Sequence, residues 1–149
     1  MPVKEDTSLI VTAARKFMEE YSTVVLSGNS SPDKTEVSTK MATYYRAPLV
    51  FIAGGKVGYI TDDSRFPPLI KGILDKSASI SPAPLVLKEI EVKVVAEKSA
   101  VVWLHLSIED IEASNVYFIR MDEEGVVYCE GGIFDGENFL SAQLEKLHQ

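Results

Sequence analysis

The sequence contains little of the chemistry that defines several common classes of protein. Among its 149 residues there is one cysteine, Cys129, and there are two histidines, His105 and His148. A single cysteine excludes an intrachain disulfide, and two histidines with one cysteine do not form a recognisable metal-ligand cluster. We therefore expect no disulfide framework, no bound metal and no cofactor, and His148 has no evident role.

The chain also lacks a net basic charge and a long apolar run. Its formal net charge is -7, so the sequence predicts no basic surface that could neutralise nucleic-acid phosphates. No apolar stretch approaches the roughly 18 residues that a membrane-spanning helix requires. The N-terminal residues PVKEDTS lack the apolar core of a signal peptide. We expect a soluble, cytoplasmic protein with neither a nucleic-acid nor a membrane partner.

The first half of the sequence carries helical patterns. Apolar residues recur at helical spacing over residues 9–24, which predicts a first helix. Asp33 lies three residues before Glu36, the spacing of a capping box, and predicts a second helix that extends to Tyr45. The stretch PLVFIAGGKVGYI then predicts a β-hairpin that turns at the glycine pair 54–55.

A third helix is predicted after the hairpin, and strands fill the second half. In TDDSRFPPLIKGILDK, prolines fall in the first turn of that helix, and one face carries Phe66, Leu69, Ile70 and Ile73. Four strand-like runs follow: VLKEIEVKVVAE, AVVWLHLSI, NVYFIRM and VVYCEGGIFD. The tail NFLSAQLEKLHQ predicts a short C-terminal helix, with Leu140, Leu144 and Leu147 at helical spacing. This order predicts one α+β domain over residues 1–149, with the helices on one face of a single sheet.

The order of these elements resembles that of a known fold family. The stretches YYRAPLVFIAGG, DDSRFPPLIKGIL, SAVVWLHLSIE and YFIRMDEEGVVYCEGGIFD resemble the nuclear transport factor 2-like superfamily, which includes SnoaL-like proteins. The resemblance implies a cone-shaped α+β fold, in which a curved antiparallel sheet wraps around three N-terminal helices and leaves a hydrophobic pocket. It also implies a homodimer that forms through the outer face of the sheet.

The isomerases and cyclases of this superfamily use acids at two positions, and the chain departs from both. The first lies near the end of the first strand, where this sequence reads FIAG and has no carboxylate. The second lies on the last strand, where a frequent pattern is Glu-His-Trp-Asp. Here Glu130 stands at the histidine position and Gly132 at the aspartate position. This departure disfavours a ketosteroid-isomerase type of proton transfer, which needs a base within hydrogen-bond reach.

Alternation along the strands sorts the side chains into two faces. The aliphatic set of each strand is expected to cover the helices and the pocket. Matching the last strand to the register of the superfamily places Tyr128, Glu130, Gly132 and Phe134 inward. The predicted pocket wall, which would bind a ligand, consists of Tyr45, Tyr59, Leu104, Leu106, Tyr117, Ile119, Gly132 and Phe134. The predicted dimer interface consists of Trp103, His105, Phe118 and Arg120.

On this register Glu130 is the one ionisable group on an otherwise apolar wall. Burial raises the pKa of a carboxyl group, so Glu130, with Tyr128 beside it, forms the predicted catalytic pair. The alternative is that Glu130 pairs with an arginine or lysine and is solvated. The glycine pair that follows either lets the strand curve or leaves room for a ligand, and a bulge there would reverse the faces beyond it.

Two functional hypotheses stay open. The first is a small-molecule-binding pocket protein of the SnoaL-like type, with an apolar or polycyclic ligand and isomerase, cyclase or dehydratase chemistry. The second is a non-catalytic dimerisation or protein-interaction module whose pocket is filled by its own side chains. The two vacant acid positions add weight to the second hypothesis.

Overall fold

The computed structural model describes residues 3–30, 32–53, 56–80, 85–108 and 111–134. The elements, in chain order, are α1 (Val3–Ser30), α2 (Lys34–Ala42), β1 (Tyr45–Ala53), β2 (Lys56–Ile60), α3 (Phe66–Ile80), β3 (Leu85–Ala96), β4 (Ser99–Ile108), β5 (Ile111–Met121) and β6 (Val127–Phe134). The predicted glycine turn at 54–55, the predicted C-terminal helix and His148 lie outside the described residues. None of the described helices combines the length and the apolar character needed to cross a membrane.

Helix α2 begins where the capping pattern predicts and ends earlier than expected. Asp33 is its N-cap, and Oδ1 of Asp33 accepts a hydrogen bond from the backbone N–H of Glu36 at 3.0 Å. This bond satisfies a donor that the first turn of the helix leaves unpaired. The helix ends at Ala42, and Tyr45 opens β1, where it pairs with Cys129 of β6. The prediction that Tyr45 continues the helix is wrong, because strand pairing fixes its backbone instead.

The helices bury apolar stripes beneath the sheet. Helix α1 packs against β3 and β4, and its buried residues are Ile10, Ala14, Phe17, Met18, Tyr21, Ser22 and Val24. In α3, which packs against α2, the buried residues are Phe66, Ile70 and Leu74. Leu69 and Ile73 are 43% and 52% exposed. The predicted face of α3 is therefore wrong for Leu69 and Ile73, because the buried stripe follows every fourth residue.

The six strands form one curved, unclosed sheet in the order β2-β1-β6-β5-β4-β3. The pairing of β1 with β6 is parallel, and the other four pairings between described strands are antiparallel. We call the face that covers the helices the inner face and the opposite one the outer face. This architecture confirms the predicted α+β fold, with a curved sheet around three helices.

A single-residue bulge on β6 decides which of its side chains face inward. Cys129 pairs with Ile119 of β5, while Gly131 pairs with the adjacent residue Phe118. Glu130 is therefore an extra residue on β6. A bulge of this kind reverses the alternation of faces. Odd-numbered residues before it and even-numbered residues after it thus share the inner face.

Candidate functional site

The inner face carries seven of the eight predicted wall residues. They are Tyr45, Leu104, Leu106, Tyr117, Ile119, Gly132 and Phe134. Leu104 and Ile119 are fully buried, and Phe134 packs against the same core. Strand alternation placed Leu104, Leu106, Tyr117 and Ile119 on the correct face, and the register of the superfamily did so for Gly132 and Phe134.

Three tyrosines bring their hydroxyl groups together inside this wall. The hydroxyl of Tyr21, from α1, hydrogen-bonds to that of Tyr45, from β1. Tyr117 of β5 stands beside them, with its ring centroid 5.7 Å from that of Tyr21. The hydroxyl of Tyr117 accepts a hydrogen bond from Nδ2 of Asn115 at 3.2 Å. One helix and two strands thus build a polar group from two buried tyrosines, Tyr21 and Tyr117, and the partly buried Tyr45. We call these three residues the tyrosine cluster.

Aromatic rings enclose the tyrosine cluster. Phe66, at the start of α3, stacks on Tyr45 with 5.5 Å between ring centroids. Phe134 contacts Tyr117 at a centroid distance of 5.4 Å. Sequence analysis identified Tyr45 and Tyr117 as wall residues and missed Tyr21. The position of Tyr21 in the apolar stripe of α1 was the signal that could have found it, because that stripe faces the sheet.

Burial keeps these phenol groups neutral. Removal from water raises the pKa of Tyr21 and of Tyr45 well above the ordinary value of 10.0. Burial raises the pKa of Tyr117 as well. A neutral phenol donates a hydrogen bond but does not act as a base near neutral pH. The cluster can therefore hold an uncharged oxygen, such as a carbonyl, but cannot abstract a proton from a ligand.

The described interior also holds no other group that could abstract a proton from a ligand. Besides the tyrosines and Cys129, the buried polar side chains among the described residues are Ser22, Ser38 and Ser107, with no carboxylate. Cys129 faces inward from β6, and burial raises the pKa of its thiol to about 12. The thiol donates to the carbonyl oxygen of Gly131 at 3.1 Å. A protonated thiol is a poor nucleophile, so this part of the chain offers hydrogen-bond donors rather than a base or a nucleophile.

The space beside the glycine pair of β6 is filled by the protein itself. A Cβ atom at Gly132 would lie 2.5 Å from the carbonyl oxygen of Val116 and 2.8 Å from the ring of Phe134. A Cβ atom at Gly131 would lie 2.8 Å from the ring of Phe118, on the outer face. Because the two glycines have no side chains, the ring of Phe134 fits beside Gly132 on the inner face and the ring of Phe118 fits beside Gly131 on the outer face.

Glu130 and Tyr128 lie on the outer face, so their predicted inward positions are wrong. Oε1 of Glu130 is 2.9 Å from Nε of Arg120. The guanidinium of Arg46 lies 3.7 Å above the ring centroid of Tyr128, and that of Arg120 lies 5.3 Å from it. The bulge at Glu130 is the physical reason, because the register taken from the superfamily assumed an unbroken alternation. The ion pair is the alternative that the sequence analysis left open for Glu130.

Tyr59 also lies outside the predicted wall. It pairs with Val50 at the edge of the sheet, faces outward and is 72% exposed. Its neighbour Ile60 is the residue that faces inward, where it pairs with Leu49 and is 6% exposed. The prediction that Tyr59 is a wall residue is wrong, because Tyr59 pairs with Val50 and points with it to the outer face.

Comparison with known proteins identifies this architecture. No family model and no curated protein matches the sequence. A cystatin-like domain of unknown function from Nostoc punctiforme superimposes with a TM-score of 0.58 at 12% identity, over 92% of this chain and 86% of its own. An NTF-2-like protein of unknown function from Shewanella oneidensis gives 0.53 at 13% identity, over 91% and 99% of the two chains. The chain has a nuclear transport factor 2-like fold.

A third structure extends the range of proteins that share the nuclear transport factor 2-like fold with this chain. The yeast UBP3-associated protein BRE5 superimposes with a TM-score of 0.54 at 12% identity, over 80% of this chain and 90% of its own. Identities this low establish the fold alone. The function of the protein depends on its own residues and does not follow from the shared fold.

The outer face of this nuclear transport factor 2-like sheet carries the four residues predicted to form a dimer interface. Trp103 and His105 of β4 and Phe118 and Arg120 of β5 all point outward, as the alternation predicted. His105 pairs with Glu91, and Arg120 pairs with Glu130. The structure thus brings these four residues to one face, and their role in a dimer stays a prediction.

Proposed function

We propose that the protein is an assembly module that forms a homodimer through the outer face of its sheet. One observation carries the proposal: exposed apolar side chains line up across neighbouring strands of that face. Six of them are at least 39% exposed, namely Val57 and Tyr59 of β2, Val50 and Ile52 of β1, Ile133 of β6 and Phe118 of β5. We call these six residues the outer apolar patch.

Strand register makes the outer apolar patch continuous. Val50 pairs with Tyr59 on one side and with Gly131 on the other, and Gly131 pairs with Phe118. A second row beside it consists of Val57, Ile52, Ile133, Val116 and Trp103. Because strands lie about 4.8 Å apart, a row across five strands is about 20 Å long. That is long enough to support an interface.

A second copy of the chain is the partner that this surface fits. Two-fold association sets the same surface of each chain against itself. An apolar surface is complementary to itself, whereas a surface of one charge sign is not. The two rows contain no charged side chain, although the chain as a whole carries a formal charge of -7. An exposed apolar area of this kind on a small domain marks an interaction site.

The interior supports a non-catalytic role. Phe134 occupies the space beside Gly132, and no carboxylate is buried among the described residues. Glu130, the predicted base, is paired with Arg120 on the outer face. The yeast protein BRE5, which shares the fold, is named for its association with another protein. These features favour assembly over proton-transfer chemistry.

The assembly function is tested by the molar mass of the protein in solution. We expect light scattering after size exclusion to show a dimer at micromolar concentration. Ile133→Glu should weaken that dimer at least about tenfold, because the two-fold brings a carboxylate from each chain into an apolar contact. Val95→Glu is the matched control, since Val95 is 65% exposed on the same sheet but outside the outer apolar patch. A wild-type monomer, or equal weakening by the control, would contradict the proposal.

The tyrosine cluster supports a second function, the binding of a small apolar ligand inside the fold. Tyr21, Tyr45 and Tyr117 gather three phenol groups within an otherwise apolar wall, and such a group can hold one carbonyl or hydroxyl oxygen. In any isomerase, cyclase or dehydratase chemistry these phenols would serve as hydrogen-bond donors. Native mass spectrometry of the purified protein should then show a bound small molecule, and Tyr45→Phe should weaken its retention. If the wild-type protein carries no bound molecule, ligand binding is contradicted and assembly is the one proposed function that remains.

A further inference from the structure

Three side chains of the kind that ligate metal ions meet on the outer face, where β3 and β4 pair. Glu89 and Glu91 come from β3 and His105 comes from β4. One oxygen of each carboxylate and one imidazole nitrogen all lie within 4.8 Å of one another. Nε2 of His105 is 2.6 Å from Oε2 of Glu91. We call these three residues the Glu–Glu–His group.

A bulge in β3 brings the second carboxylate to this face. Leu87 pairs with Leu106 on the inner face, and Glu89 pairs with the adjacent residue of β4, His105, on the outer face. Lys88 is therefore an extra residue in β3. With regular pairing and no bulge, Glu89 would point to the same side as Leu87, because side chains two residues apart share a face. The backbone irregularity thus places Glu89 beside the imidazole.

The imidazole is oriented by a third strand. Nδ1 of His105 lies 2.7 Å from Oγ of Ser114, the residue opposite it in β5. Once a metal ion replaces the hydrogen that Nε2 shares with Glu91, Nδ1 can donate its own hydrogen to this oxygen, and the lone pair of Nε2 is then directed at the ion. Histidines that bind metals usually have their other ring nitrogen held in this way, which fixes the tautomer and the ring orientation.

The group carries an excess of negative charge. Within the described part of the chain, the carboxylate of Glu89 makes no ion pair and no hydrogen bond, and Glu91 pairs with His105. Nε2 of His105 and Oε2 of Glu91 share a proton at 2.6 Å in the metal-free chain. A divalent cation that replaces this proton has its charge neutralised by the two carboxylates. The side chains of Glu91 and His105 are 54% and 31% exposed, so an ion in solution can reach them.

We propose that Glu89, Glu91 and His105 bind a divalent transition-metal ion of the Zn²⁺ class. One imidazole nitrogen with two carboxylate oxygens suits Zn²⁺, whereas Ca²⁺ and Mg²⁺ prefer sites built of oxygen alone. Three protein ligands leave a fourth position for water. The site lies beside the outer apolar patch and outside it, so this proposal does not depend on the assembly function.

Sequence reasoning missed this group because it counted histidines and cysteines alone. The glutamates approach His105 only through the register of β3 with β4 and the extra residue Lys88. Neither feature is visible in the spacing of residues along the chain.

The chain contains its own reporter for the test. Trp103 is the only tryptophan, pairs with Glu91, and shares the outer face with His105 two residues away. Untagged full-length protein, freed of metal with a chelator, is titrated with Zn²⁺ by calorimetry and with Ni²⁺ by fluorescence. We expect one saturable Zn²⁺ site per chain. Ni²⁺, a quencher, should reduce the Trp103 emission, and Zn²⁺ should restore it by competition.

Single substitutions test which residues form the metal site. His105→Ala and Glu91→Gln are each expected to weaken Zn²⁺ binding at least about tenfold. Ser114→Ala should weaken it by about tenfold, because the imidazole of His105 loses the hydrogen bond that orients it. His148→Ala and Glu36→Gln are matched controls, because the first removes the other histidine of the chain and the second an exposed glutamate of α2. Both controls should bind Zn²⁺ as the wild type does.

Three outcomes would overturn the proposal. They are the absence of saturable Zn²⁺ binding, an equal loss of affinity in His148→Ala, and an affinity for Mg²⁺ as high as that for Zn²⁺. Circular dichroism of each variant separates loss of a ligand from loss of fold. Should His105→Ala fail to fold, Glu91→Gln keeps the shape of the side chain and decides the question.

Discussion

Arg120 and Glu130 hold each other on the outer face of the sheet, with 2.9 Å between Nε and Oε1. Their side chains are 50% and 35% exposed, so water screens the pair and its contribution to stability is small. The pairing nevertheless determines what Glu130 can do. A carboxylate bound to a guanidinium on the outer face cannot serve as a base for a ligand held among the helices.

Glu130→Gln is therefore expected to be a mild substitution. It should change the free energy of unfolding by less than about 1 kcal/mol, because an exposed ion pair contributes no more than that. Urea denaturation measures this change, and Arg120→Gln should give a similar value. A small molecule that co-purifies with the protein should be retained. Loss of that molecule in Glu130→Gln alone would restore Glu130 as a ligand-binding residue.

Gly132→Ala is expected to destabilise the protein by roughly 1–3 kcal/mol, the usual effect of overpacking a core. The new Cβ would lie 2.5 Å from the backbone oxygen of Val116, which cannot turn aside as a side chain can. Gly72→Ala is the matched control, because a Cβ there meets nothing within 4 Å on an exposed turn of α3. The control should gain up to about 1 kcal/mol from helix propensity. If Gly132→Ala is as stable as the wild type, the space beside Gly132 is not filled as described.

The tyrosine cluster should make the protein unfold at high pH. Burial raises the pKa of Tyr21, Tyr45 and Tyr117 above the ordinary value of 10.0. The unfolded chain releases these protons first, so their contribution to stability is complete below pH 10 and is lost as the pH rises further. Phenolate absorbance should therefore appear together with the loss of circular dichroism. Phenolate formation by all six tyrosines in a chain that is still folded would contradict this.

The turn between β5 and β6 should weaken in acid. Oδ1 of Asp122 accepts hydrogen bonds from the backbone N–H groups of Val126 and Glu124, both at 2.9 Å. The bond from Val126 is the largest cause that lowers the pKa of Asp122 below its ordinary value of 3.8. The stabilisation is present above pH 3.8 and is lost as the pH falls through the lower native value, because the unfolded chain takes up the proton first. Asp122→Asn should flatten this acid dependence in thermal unfolding, whereas Asp75→Asn on α3 should preserve it.

Trp103→Glu should weaken the proposed homodimer, because Trp103 ends the second apolar row on β4. Sedimentation equilibrium should show a dissociation constant at least about tenfold higher than in the wild type. Leu69→Glu is the control, since Leu69 is 43% exposed on α3 and lies on a helix. If Trp103→Glu associates as the wild type does while Ile133→Glu does not, the interface ends before β4.

The order and type of the elements could be predicted because they depend on local patterns. In β4 the alternate residues Val102, Leu104 and Leu106 are aliphatic, and all three are buried as that alternation requires. The cap of α2 could be predicted for the same reason, since Asp33 and Glu36 carry the whole signal. Each pattern is read within a few residues of chain.

The bulges and the clusters could not be predicted in this way. The glycine pair in YCEGG is compatible with a bulge, but the identity of the extra residue, Glu130, follows only from how β6 pairs with β5. The hydrogen bond between Tyr21 and Tyr45 joins a helix to a strand, and the approach of Glu89 to His105 depends on register. Contacts between distant segments are set by tertiary packing, which a single sequence does not display.

Cys129 lies on β6, one of the two central strands of the sheet, and the residue is 1% exposed. Alkylating reagents attack the thiolate, and burial raises the pKa of this thiol to about 12. The native chain should therefore resist such reagents until the helices separate locally from the inner face of β6. Because no other cysteine is present, the rate of labelling measures how often the core opens locally between the helices and the middle of the sheet.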